Sequence, residues 1–165
     1  MTFEEMKELN PNYFSDENFG EDDETNYAES KIERTANANG IFIESYNACD
    51  GTDDRYYAMK ILSNDGWVET LTGAVCNNEK EVKEFFAFVD YVSDAVNALF
   101  GDILLDSVEE EDDRIEDGDF ILAAFREDGS EASIGINMRR LKRDFKAANE
   151  PDRKATSYIN QGRPS

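Results

Sequence analysis

Apolar positions recur at spacings of three and four through one long stretch of the chain. Val82, Phe85, Phe86, Val89, Val92, Val96, Leu99 and Phe100 form a continuous stripe, the periodicity of an amphipathic helix. Asn78 is placed to cap it, and Glu81 three residues on completes a capping-box-like pair. Glu79, Glu81 and Glu84 suit the positive end of the helix dipole, while Gly101 closes the far end. Phe88 and Tyr91 fall off the stripe and are expected to pack on the N-terminal segment or on a partner.

Elsewhere the pattern is that of strands. Ile41 to Tyr46 is rich in β-branched and aromatic residues, and Arg55 to Leu62 and Trp67 to Val75 follow it. The connections are Asp50-Gly51-Thr52-Asp53-Asp54 and the tight Asn64-Asp65-Gly66, where glycine supplies the positive φ of a hairpin turn. These three strands predict a meander. A second hairpin, Phe120–Arg126 with Ala132–Met138, turns at Glu127-Asp128-Gly129. Trp67, opening a strand after a turn, is expected to pack in the core or along the sheet edge.

The flanks are less regular. Met1 to Leu9 has the pattern of one or two helical turns with Phe3, Met6 and Leu9 on one side, stopped by Pro11. Residues 1–39 are read as an acidic arm, flexible or held on the domain by Tyr13, Phe14, Phe19 and Tyr27. Residues 40–150 form the α+β domain, with Ile103-Leu104-Leu105 of uncertain type and a last helix over Arg139–Ala148. Residues 151–165 make a polar tail. The predicted fold is thus α+β: an antiparallel sheet of about five strands, meander plus hairpin, packed on one long helix.

Charge changes this picture most. Asp and Glu number 38 against 17 Lys and Arg, a net charge of -21. A field of that size opposes compaction and calls for a reason beyond solubility. It disfavours direct contact with nucleic acid or an anionic membrane through the acidic body and points to a basic protein partner. No run approaches the roughly 20 apolar residues of a membrane span. The segment 1–10 has three glutamates and one lysine, so a cytoplasmic location is expected. Cys49 and Cys76 are read as free thiols. With no histidine in the chain, the commonest general base and metal ligand are missing. The expectation is a protein that is not an enzyme and carries no cofactor or metal. The nearest calcium-loop register, set on Gly118, fails because Ile115 and Ala124 stand where oxygen ligands belong.

The acids gather in three clusters: Glu21, Asp22, Asp23 and Glu24; Asp50, Asp53 and Asp54; and Glu109, Glu110, Glu111, Asp112, Asp113, Glu116, Asp117 and Asp119. Residues 139–165 reverse the sign, with eight basic side chains against three acidic ones, so the remainder carries -26. Each cluster alone reads as a solvated loop. Together they suit a partner-binding surface that imitates the phosphate rows of DNA, about one charge per 1.7 Å of duplex axis. In composition and size the chain resembles the acidic inhibitors that phages and mobile elements carry against CRISPR or restriction effectors. That resemblance implies occupation of the target's basic nucleic-acid groove. An immunity protein neutralising a basic toxin, or an assembly module without mimicry, are the alternatives. The basic C-terminal helix is expected to dock on acids of its own chain or of a second copy, as a homodimer, or else to touch nucleic acid beside the partner.

Overall fold

Local signals place most of the elements in the computed structural model, which describes residues 1–22, 24–48, 50–110 and 119–149. In chain order they are α1 (Phe3–Leu9), α2 (Asp16–Phe19), β1 (Lys31–Arg34), β2 (Ile41–Asn47), β3 (Arg55–Leu62), β4 (Val68–Cys76), α3 (Glu79–Phe100), β5 (Ser107–Glu110), β6 (Asp119–Phe125), β7 (Glu131–Asn137) and α4 (Met138–Ala148). Helix α3 begins where its cap dictates. The Asn78 side chain accepts from Glu81 N–H at 2.9 Å, and its amide donates to the Glu81 carboxylate at 3.0 Å. Helix α1 has a reciprocal capping box between Thr2 and Glu5, which offsets the weak stability of so short a helix.

The strands do not merge into one sheet. A four-stranded antiparallel sheet has the order β1-β2-β3-β4, and a three-stranded one the order β5-β6-β7. The single sheet of about five strands expected from sequence is therefore corrected to two sheets. The additional members are short and polar: β1 reads Lys-Ile-Glu-Arg and β5 Ser-Val-Glu-Glu. Each has one apolar position, so its strand character comes from pairing with β2 and β6 and not from its own alternation.

Alternation along β2 sorts the core into two. Ile41 and Ile43, with Met59 and Ile61 of β3, pack against Phe85, Val89, Val92 and Val96 of α3, and Val108, Phe120 and Leu122 of the second sheet join the same cluster. Phe42 and Leu62 point the other way, onto Met6, Phe14 and Ala36. The N-terminal aromatics thus cover the far face of the first sheet, with Phe14 5.4 Å from Phe42 and Phe3 6.1 Å from Phe14, ring centre to ring centre. Tyr27 remains exposed. Three layers result, with α3 on one side of the first sheet and residues 1–19 on the other.

Phe88 and Tyr91, the residues off the α3 stripe, receive α4: both lie within 5.6 Å of the Phe145 ring centre. Leu99, read as part of the stripe, is instead exposed near the helix end. Leu105 is fully buried and accepts from Asn64 N–H at 2.7 Å, tying the β3–β4 turn to the start of the second sheet.

Candidate partner-binding surface

Because both faces of the first sheet are covered, acidic side chains are displaced to its ends and edges. At one end, Asp50, Asp53 and Asp54 occupy the β2–β3 turn. The Thr52 hydroxyl and backbone N–H both donate to Asp50, at 2.5 and 3.0 Å, and hold its carboxyl below the ordinary aspartate range. The loop carrying Glu21, Asp22 and Glu24 reaches the same end. Asn26 donates to the carbonyls of Gly20 and Ser30, closing the loop, and Asn47 N–H donates to Ala28. These bonds tie the loop with Glu21, Asp22 and Glu24 to the end of β2 that leads into the Asp50–Asp54 turn.

Glu109 and Glu110 lie at the opposite end, on β5, next to the β3–β4 turn. Strand β3, of eight residues, separates the two ends by about 25 Å at the usual rise per residue. Asp119, at the start of β6, is half-buried and accepts from the Asn137 amide, which places it at the N-terminus of α4. Asp23, Glu111, Asp112, Asp113, Glu116 and Asp117 lie outside the described residues.

Among the described residues, the salt bridges are Lys7–Asp16, Arg34–Asp90, Arg55–Glu33 and Lys60–Glu44. No candidate acid takes part in one. Nor do Arg139, Arg140, Arg143 or Lys146, which line the exposed side of α4 while Leu141 and Phe145 face the core. Among the described residues, then, these side chains of both signs stand outside the ion pairs.

One ion pair is of another kind. Glu44 lies in the middle of β2 and is only 6% exposed. Lys60 Nζ stands 3.2 Å from Glu44 Oε2 and donates to Tyr13 Oη at 2.7 Å, while the Tyr13 hydroxyl donates to Glu44 Oε1 at 2.5 Å. Burial, then the bond to Glu44, pushes the Tyr13 phenol upward, so it stays protonated as a donor. This triad pins the N-terminal segment to the sheet. Local sequence pointed to none of it, although an acid inside the apolar run Ile41–Tyr46 is a signal, since such a group needs a partner.

The structure also joins residues outside the acidic clusters. Trp67, expected in the core or packed along the edge, is 59% exposed. It lines an open cleft of about 410 Å³ with Asp65, Glu69, Ser107, Val108, Glu109 and Glu110. Among the described residues no three His, Cys, Asp or Glu side chains are grouped to hold a metal ion, and no helix is long and apolar enough to cross a membrane. Burial pushes the Cys76 thiol above its ordinary value, which leaves it a poor nucleophile at neutral pH. No protein-family model, curated protein or solved structure matches the chain.

Proposed function

We propose that the chain is an acidic inhibitor that occupies the basic nucleic-acid groove of another protein, of the kind that blocks a CRISPR or restriction effector. One observation carries the reading. Glu21, Asp22, Glu24, Asp50, Asp53, Glu109 and Glu110 are all exposed, and none is neutralised by an ion pair among the described residues. Self-repulsion on this scale is a standing cost to the folded state, and a cationic groove removes it on binding. The turn and strand backbones set where the carboxylates stand, and Asp50 is further held by Thr52. A carboxylate offers no scissile phosphate, so the groove is filled without turnover.

The test is capture of a basic partner from bacterial lysate on the immobilised protein, followed by measurement with the captured protein. Binding should compete with duplex or single-stranded nucleic acid and weaken by at least about tenfold between 50 and 200 mM salt. Joint replacement of the seven acids by their amides should abolish it. A complex that forms equally well at both salt concentrations, or that tolerates bound nucleic acid, excludes mimicry.

A further inference from the structure

The two sheets each end on a strand with no neighbour beyond it among the described residues, β4 in one and β5 in the other, and the acidic cleft lies between these edges. One wall is formed by Asp65, Trp67 and Glu69, the other by Ser107 to Glu110. Among the described residues no basic side chain lines it. At about 410 Å³ it sits at the small end of the roughly 300–1,000 Å³ typical of ligand pockets.

Trp67 is fixed there. Its backbone N–H donates to Asp65 Oδ1 at 3.0 Å, its carbonyl accepts from Ser63 N–H at 2.9 Å, and its indole N–H donates to Glu69 Oε2 at 2.9 Å. The polar edge of the ring is satisfied while more than half of the residue stays uncovered. An immobilised indole flanked by four carboxylates attracts one class of group above others, a planar cation. A guanidinium stacks on the indole face and donates in parallel to carboxylate oxygens; an ammonium is a more strongly hydrated point charge and matches this arrangement less well.

We infer that the cleft between β4 and β5 receives an arginine side chain from an extended, basic segment of the partner. The inference deepens the inhibitor reading by naming where the target's cationic groove is gripped. It also assigns to Trp67, which no acidic cluster includes, a direct role in recognition.

Trp67 is the single tryptophan of the chain, so its emission reports on the cleft. Titration of the full chain with acetylated tri-arginine amide should give a saturable change in that emission, and tri-lysine a weaker one. Glu109→Gln with Glu110→Gln should lower tri-arginine affinity by about tenfold in calorimetry, as expected for loss of charge-assisted bonds. Trp67→Leu should lower it by about fivefold. Asp65 and Glu69 stay in place because they hold the turn and the ring. Asp50→Asn with Asp53→Asn and Asp54→Asn, at the other end of the sheet, should change it by less than about twofold, since the intervening distance exceeds the Debye length. Circular dichroism confirms that each variant is folded. No binding, unchanged emission at saturation, or equal loss from both sets of amides overturns the cleft. If the cleft fails while the seven-amide variant still loses its basic partner, groove mimicry stands alone. If tri-arginine binds as described but the captured partner tolerates nucleic acid, mimicry fails and the cleft remains.

Discussion

Lys60→Met isolates the contribution of the buried triad. Methionine keeps most of the lysine stem and its packing, so the change removes chiefly the charge. Lys60 and Glu44 side chains are 15% and 7% exposed and stand 3.2 Å apart. At an effective dielectric constant of about 20 their attraction is roughly 5 kcal/mol. Desolvation offsets part of that in the native protein, but after substitution the cost of burying Glu44 is left without its cation, and one-sided removal of a buried pair typically loses about 3–5 kcal/mol. Tyr13 still donates to Glu44, which favours the lower end, about 3 kcal/mol. For a chain of this size that corresponds to a melting temperature lower by about 6–12 °C. Urea unfolding followed by far-ultraviolet circular dichroism should show a lower midpoint with an unchanged slope. Adding Glu44→Gln should recover part of the loss, because the stranded charge is gone. A loss below about 1 kcal/mol, or a double variant no more stable than the sum of the single effects, would refute the reasoning.

Three further outcomes follow from contacts at the turn and helix ends. The Asp65 carboxyl is held low by the Ser63 hydroxyl and the Trp67 N–H, so its anchoring is complete above the unfolded value near 3.9 and is lost as pH falls through the lower folded value; Trp67 emission should titrate in that window, and Asp65→Asn should remove the transition. Gly66→Ala should destabilise by about 1–3 kcal/mol in urea titration, because φ is +88° and a Cβ would stand 2.4 Å from the Leu9 carbonyl oxygen, where the turn meets the end of α1. Phe145→Ala should cost about 2 kcal/mol, below the range for a fully buried phenylalanine. Hydrogen exchange in that variant should rise across α4 and not across β2.

Where a residue's own neighbours decide its structure, the sequence reveals it. Asn78 with Glu81, the Asn64–Gly66 turn and the apolar stripe of α3 are all local signals, and the bounds read for β3 coincide with those observed. What stayed hidden depends on distant partners. Ile32 and Val108 are single apolar positions in polar segments, and β2 and β6 make them strands. Phe88 and Tyr91 look like spare aromatics until Phe145 arrives from more than 50 residues further along. The acidic clusters were legible as runs, but not that the loop with Glu21, Asp22 and Glu24 is tied to the end of β2 that leads into the Asp50–Asp54 turn, since closure through Asn26 and the Asn47–Ala28 bond set that. Trp67 could be placed near an edge by its turn, but its cleft needs the second sheet's β5, which lies about forty residues away.

The layering has a consequence for how this protein can change. Alternate residues of β2 are committed to opposite neighbours, Ile41 and Ile43 to α3, Phe42 to the N-terminal aromatics, so neither broad side of the strand is at liberty to vary. Turns and borders are the places left for innovation. Substitutions among the exposed carboxylates of that rim leave the buried interior untouched.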